Sequence, residues 1–163
     1  MKKAVFLDRD GVINKERGAY TYKLDDLVLN DDIANALKRL KELGYLLIVI
    51  SNQGGIAKGL YTHEDVENLH HFMKHLLSKE GAKIDEIYYC PHHSEISKCI
   101  CRKPDSLLIE KAIARFGIDP AQSFMFGDGE RDCIAAEKAG VKGIQITANA
   151  SLIPYLRKTI QGF

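Results

Sequence analysis

The chain has 163 residues, a length that suits one domain and buries about two-thirds of the unfolded surface. It is 45% hydrophobic and 28% charged, ordinary for a soluble globular protein. Formal net charge is +1 and no Lys/Arg run exceeds two residues, so the concentrated positive face of a nucleic-acid binder is not expected. The longest apolar run, Leu46 to Ile50, falls far short of the ~20 residues that a membrane span needs.

Met-Lys-Lys leads directly into the strand-like Ala4-Val5-Phe6-Leu7, which ends at Asp8. That stretch is too short for a signal-peptide core. A cytoplasmic monomer acting on a small molecule, with no nucleic-acid or membrane partner, is therefore expected. Asp32–Leu43 carries Ile33, Leu37 and Leu40 at the spacing of an amphipathic helix, and Gly44 is placed to close it. Tyr45–Ile50 is continuously apolar, as in a strand buried on both faces. Thr62 with Asp65 predicts a capped helix start, with Val66, Leu69, Met73, Leu76 and Leu77 lining one face. Strands are expected at Ile84–Tyr89, Ser123–Phe126 and Gly143–Thr147. Helices are expected over Ser106–Phe116 (ending at Gly117), over Asp132–Ala139 (ending at Gly140), and at the C-terminus. Alternation of this kind predicts parallel strands with helices on both faces. The fold expected is one doubly wound α/β domain over residues 1–163, whose ligands bind at the carboxyl ends of the strands.

Those strand ends are polar. The first delivers Asp8-Arg9-Asp10-Gly11, where alternation along an extended chain lets both carboxylates face one site. The second delivers Ser51-Asn52-Gln53-Gly54-Gly55, the third leads to Arg102-Lys103-Pro104, and the fourth delivers Gly127-Asp128-Gly129-Glu130-Arg131-Asp132. An Asp-x-Asp alone could be a turn device; together the endings suit a phosphate and a metal. Four carboxylates and a phosphate dianion exceed what Arg102 and Lys103 can neutralise, so a divalent cation is expected. An all-oxygen set favours Mg²⁺. Asp8 would then attack phosphorus, Asp10 would serve as acid and base, and Ser51 and Lys103 would hold the phosphoryl oxygens.

A second cluster accompanies the first. Cys90-Pro91-His92 and Cys99-Ile100-Cys101 form two ligand-x-ligand pairs. Cys₃His is a closed tetrahedral zinc set, so structural Zn²⁺ is expected in the loop leading to Arg102-Lys103. His71 and His75 read as a solvated helix face, and Cys133 as a small core residue. Asp132 would orient Lys103 or a metal-bound water, or cap its helix.

Phe6-Leu7-Asp8-Arg9-Asp10-Gly11-Val12 resembles the first motif of the haloacid dehalogenase superfamily of phosphatases. Ser51, Lys103 and Gly127-Asp128 with Asp132 resemble its second, third and fourth motifs, in order. The superfamily's usual threonine is Val12 here. The resemblance implies a Rossmann-like core with Asp8 as nucleophile, and Mg²⁺ held by the side chains of Asp8 and Asp128 and the main-chain carbonyl of Asp10. Cys-Pro-His-His followed by Cys-x-Cys-Arg-Lys-Pro resembles the D-glycero-D-manno-heptose 1,7-bisphosphate 7-phosphatases and the similar histidinol-phosphate phosphatases. That likeness implies removal of a sugar 7-phosphate in nucleotide-heptose biosynthesis for a bacterial surface glycan. Histidinol phosphate is the rival substrate. A phosphatase of nucleic-acid 3′ ends is disfavoured by the charge pattern. A non-catalytic zinc-stabilised binding module is the rival class, and would lack a catalytic group. The same likeness implies a substrate site of Asp8, Arg9 and Asp10, with Glu16, Arg17, Gly18, Ala19 and Tyr20. Ser51, Asn52, Gln53 and Gly54, together with Arg102 and Lys103, complete it. Between Asp8 and Ser51 there is room for little beyond one helix and its loop, so a capless, open site is expected, with Tyr20 and Tyr22 flanking a sugar.

Overall fold

In a computed structural model that describes residues 1–163, every strand pairs in parallel within one five-stranded sheet. The strands are β1 (Ala4–Leu7), β2 (Leu46–Asn52), β3 (Glu86–Cys90), β4 (Phe124–Gly127) and β5 (Lys142–Gln145). Their order across the sheet is β3-β2-β1-β4-β5. The helices are α1 (Ile33–Glu42), α2 (His63–Lys79), α3 (Leu107–Phe116), α4 (Glu130–Lys138) and α5 (Ile153–Thr159).

Side-chain alternation divides the core into two layers. Val5, Leu7, Leu47, Val49 and Phe126 pack on one face with Leu37 and Leu40 of α1, Leu69 and Met73 of α2, and Leu156 of α5. Ala4, Phe6, Ile48, Ile50 and Met125 pack on the other with Leu108, Ile109 and Ala112 of α3 and Ala135 and Ala136 of α4. With both faces covered, the central strands are apolar throughout, which is why their sequence shows continuous runs. The strand order reverses at β1. The chain moves one way to β2 and β3, then returns to the other side for β4 and β5. A crevice opens at such a switch point beyond the carboxyl ends, and Asp8 lies at that place.

α2 begins as its residues dictate: Thr62 Oγ1 accepts the Asp65 N–H at 3.1 Å, and Asp65 Oδ2 accepts the Thr62 N–H at 2.8 Å. Its buried face holds Val66, Leu69, His70, Met73 and Leu77. His70 is thus buried where apolar patterning passes over it, and Leu76 is only partly buried. α4 starts two residues before the expected Asp132. Asp132 Oδ2 accepts the Gly129 N–H at 3.1 Å from inside the first turn, so it caps the helix from its third residue. Cys133 is half-buried rather than a core residue. His71 and His75 are exposed, as expected. Between β1 and α1 the only helical element is the 3-10 turn Leu24–Asp26. No helix is long and apolar enough to cross a membrane.

Candidate active site

The end of β1 is fixed to its neighbour: the Asp8 N–H donates to the Phe126 carbonyl of β4 at 3.0 Å. The chain then turns, with the Val12, Ile13 and Asn14 amides all reaching the Arg9 carbonyl. Gly11 takes φ +87°, and a β-carbon there would overlap Asp128 Oδ2. Its absence of a side chain lets the β1 turn and the β4 turn close on each other.

Lys103 ties the strand ends together. Its ammonium donates to Asp8 Oδ1 at 2.9 Å and to the Ile50 carbonyl at 2.7 Å, and pairs with Asp132 Oδ1 at 2.6 Å. Three acceptors match its three N–H groups. Burial would lower the Lys103 pKa, but Asp8 and Asp132 outweigh it and hold the charge above the ordinary lysine range. Burial pushes Asp8 up to about 7, against the pull of Lys103, while Asp132 and Asp10 add to the rise. Asp128 is raised by burial and by Asp132. Lys103 is held in place by a reciprocal pair: its N–H donates to Asn52 Oδ1, and Asn52 Nδ2 donates to its carbonyl, both at 3.0 Å.

A cavity of about 520 Å³ opens over these groups, lined by Asp8, Asp10, Glu16, Gly18, Ala19, Tyr20, Thr21, Asn52, Gly54, Arg102 and Arg131. The sequence-derived set is largely gathered here, with exceptions. Ser51, Gln53 and Lys103 are buried beneath the lining. Arg17 instead pairs with Asp26 at 3.1 Å. Tyr22 does not flank the cavity; its ring stacks on Tyr61 at 4.9 Å, with Tyr20 edge-on at 5.6 Å. The Arg9 side chain is 0% exposed and points inward. Its Nε and Nη2 donate to Asp10 Oδ1 at 3.3 and 2.9 Å, its Nη2 also reaches the Thr21 carbonyl at 2.7 Å, and its Nη1 contacts His70 Nε2 at 3.2 Å. These acceptors satisfy the donors of the guanidinium, which is what allows its charge to be buried. Two lining residues went unassigned in the sequence. Thr21 directly follows Tyr20, the last residue of the expected substrate-binding segment. Arg131 stands three residues after Asp128 in the first turn of α4, with Nη2 3.7 Å from Asp128 Oδ1 and 3.9 Å from Asp8 Oδ2.

The acidic groups suit a hard cation. One carboxylate oxygen from each of Asp8, Asp128 and Asp132 lies within 4.8 Å of the others. Asp128 Oδ1 is buried and meets only Arg131 Nη2, at 3.7 Å, whereas Asp132 Oδ1 lies 2.6 Å from the Lys103 ammonium and its Oδ2 takes the Gly129 N–H. Asp8 and Asp128 are then the carboxylates with oxygens that could hold a cation, and so few carboxylates would suit Mg²⁺.

Cys90, His92, Cys99 and Cys101 also converge, each offering one ligand atom within 4.8 Å of the rest. Cys90 Sγ lies 3.7 Å from Cys99 Sγ and 3.4 Å from His92 Nδ1, and His92 Nδ1 lies 3.2 Å from Cys101 Sγ. These approach the edges of a tetrahedron built on zinc–sulfur bonds of about 2.3 Å. The Cys90–Cys101 separation is shorter, at 2.9 Å. Arg102 Nη1 donates to the His92 carbonyl at 3.0 Å. A β-carbon on Gly54 would stand 2.7 Å from His93 Cδ2 and 3.0 Å from Arg102 Nη1, so glycine is needed where this loop crosses the end of β2.

Sheet order and site define a hydrolase with an acidic strand-end centre, and residues 3–140 match the haloacid dehalogenase-like hydrolase family. The chain belongs to that family and is a phosphatase, a phosphoric monoester hydrolase. It is 45% identical over 147 residues to the D-glycero-beta-D-manno-heptose-1,7-bisphosphate 7-phosphatase of Haemophilus ducreyi, covering 86% of this chain and 80% of that protein. It is 43% identical over 155 residues to the Helicobacter pylori J99 protein of the same name, covering 94% and 88%. The fold also matches a crystal structure of D,D-heptose 1,7-bisphosphate phosphatase from B. bronchiseptica complexed with magnesium and phosphate. That match has a TM-score of 0.85 at 31% identity, covering 91% of this chain and 83% of that one.

Proposed function

We propose that this phosphatase removes the 7-phosphate of D-glycero-D-manno-heptose 1,7-bisphosphate and leaves the 1-phosphate, as the names of its relatives indicate. The observation that carries the chemistry is Asp8 itself. Its carboxylate lies on the cavity, hydrogen-bonded to the buried Lys103 ammonium and close to Asp128.

Asp8 would attack phosphorus and become an aspartyl-phosphate while the sugar alkoxide leaves with a proton from Asp10. Asp10 would then take a proton from the water that releases phosphate and regenerates Asp8. Lys103 would balance the charge at Asp8 through both steps. Mg²⁺, held by Asp8, Asp128 and the Asp10 carbonyl, would neutralise phosphoryl oxygens and keep Asp8 ionised. Arg131 would meet the phosphate from the solvent side, and Arg102 the sugar. A zinc ion on the four-residue Cys/His cluster would hold Arg102 and Lys103 in place. With no cap between β1 and α1, the cavity would admit a soluble sugar bisphosphate directly.

The test is phosphate release from both anomers of heptose 1,7-bisphosphate, beside fructose 1,6-bisphosphate and histidinol phosphate. The heptose bisphosphates should show the highest kcat/KM. Asp8→Asn should lower turnover by more than about a thousandfold, since it removes the nucleophile. Equal turnover by the variant, or a clear preference for histidinol phosphate, overturns the reading.

A further inference from the structure

The Arg9 guanidinium is buried, carries a full charge, and has five N–H groups to satisfy. Asp10 Oδ1 takes two of them, from Nε and Nη2, and the Thr21 carbonyl takes the second on Nη2. The Gln53 amide is assigned with its oxygen toward Arg9, 3.3 Å from Nη1, because its nitrogen then donates to the Tyr61 hydroxyl at 2.7 Å. One N–H remains on Nη1, and only His70 Nε2, at 3.2 Å, receives it. Arginine cannot accept a hydrogen bond, so Nε2 must be the bare nitrogen of a neutral ring. His70 comes from the middle of α2, its ring edge-on to Tyr89 at 5.7 Å. It touches neither the cavity nor any carboxylate of the centre.

The consequence falls on Asp10. Arg9 grips Oδ1 through two N–H groups, and Asn14 Nδ2 adds a third donor at 3.0 Å. That oxygen is saturated with donors and disfavoured as a seat for a proton. Oδ2 is the oxygen that neither Arg9 nor Asn14 holds. Asp10 therefore presents one defined oxygen for proton transfer, provided the guanidinium does not rotate. Asp10 and Thr21 hold the Nε and Nη2 side of the guanidinium, while the Gln53 oxygen and His70 Nε2 hold Nη1.

We infer that His70 is a positioning residue for the proton-transfer step: through the buried Arg9 guanidinium it orients Asp10 so that Oδ2, rather than Oδ1, carries the proton to the leaving group. The inference rests on the acid/base role proposed for Asp10 above. Truncating His70 leaves a buried cationic N–H without a partner, which the guanidinium relieves by turning. Asp10 then loses its alignment while Asp8, Lys103 and the metal ligands keep theirs.

The experiment compares two substrates that differ in need of an acid: the heptose bisphosphate, whose alkoxide must be protonated, and p-nitrophenyl phosphate, whose phenolate leaves without a proton. His70→Leu should lower kcat/KM for the sugar phosphate about ten- to a hundredfold, within the range a positioned general acid contributes. It should lower that for the aryl phosphate by less than about threefold, since the Brønsted demand is small there. His70→Gln, which returns an acceptor to Arg9, should restore most of the difference. In an Asp10→Asn background His70→Leu should have no further effect on the sugar phosphate, because coupled residues are not additive. If the leucine variant does not fold, His70→Asn, too short to reach Arg9, takes its place. Equal losses on both substrates, or a full additional loss in the Asp10→Asn background, overturn the inference as a purely structural effect. An unchanged substrate ratio overturns it as well. A wild type that hydrolyses neither substrate overturns the proposed function instead, so the two failures are distinct.

Discussion

Gly11 shows how finely single residues set this site. Its positive φ is open to other residues only at a cost, and the space where a β-carbon would go is filled by Asp128 Oδ2. Gly11→Ala should therefore push the β1 and β4 turns apart and displace Asp128, which is proposed to hold magnesium. The expected result is a magnesium requirement raised at least about tenfold, roughly 1.4 kcal/mol in affinity, with kcat at saturating metal reduced far less. Titrating activity against Mg²⁺ checks this; an unchanged half-saturating concentration would show that the turns have slack. Asp8, Asp10, Lys103 and Asp128 could be read from the sequence because polar residues directly after apolar strands have few structural reasons to be there. Arg9 could not be placed, because its direction depends on Thr21 and His70, and no local pattern reports a partner 61 residues away.

Among the elements, β2 was readable to within two residues and α2 at its first turn, and the reasons are burial and capping. Both-face burial writes β2 as an uninterrupted apolar run, and the capping box of Thr62 and Asp65 marks the first turn of α2. β5 was displaced by a residue or two because it is an edge strand whose ends are exposed, so no apolar run delimits it. The segment from Cys90 to Lys103 has little regular structure at all. Its shape comes from the four converging ligand atoms and from the Arg102 contact with the His92 carbonyl. Its stability should accordingly depend on zinc. The purified protein should contain about one zinc per chain, and stripping it should lower Tm on the order of 10 °C, a loss of a few kcal/mol in a chain this size. Magnesium added back in excess should restore neither Tm nor KM for the sugar bisphosphate, because the fault then lies at Arg102 and not at the catalytic ion. A protein free of zinc with an unaltered melting curve would remove the metal from this loop.

At the scale of the whole molecule, two apolar layers enclose a sheet whose buried polar groups lie mostly on the site side, and His70 is an ionisable group this arrangement holds far from its ordinary state. Burial, and then the Arg9 charge, depress its pKa to about 3; Lys74 and His71 add to the fall, and only Asp10 opposes it. In the unfolded chain the ring titrates near 6.5. Below that pH the unfolded state binds a proton that the folded state refuses, so folding stability falls with acidification, across a window from about 6.5 down to about 3. The slope from this one group approaches about 1.4 kcal/mol per pH unit once the unfolded ring is fully charged. Carboxylates shared by all variants contribute their own dependence, so the informative quantity is a difference. Urea unfolding of wild type and His70→Gln at pH 7 and at pH 4.5 should show the wild type losing more stability between the two conditions, by about 2 kcal/mol. At pH 7 the variant should be equal to wild type or somewhat weaker, since neutral histidine and glutamine both serve Arg9 as acceptors. Parallel curves for the two proteins would mean that His70 takes up its proton in the folded state, and with it that Nε2 is not held against the guanidinium.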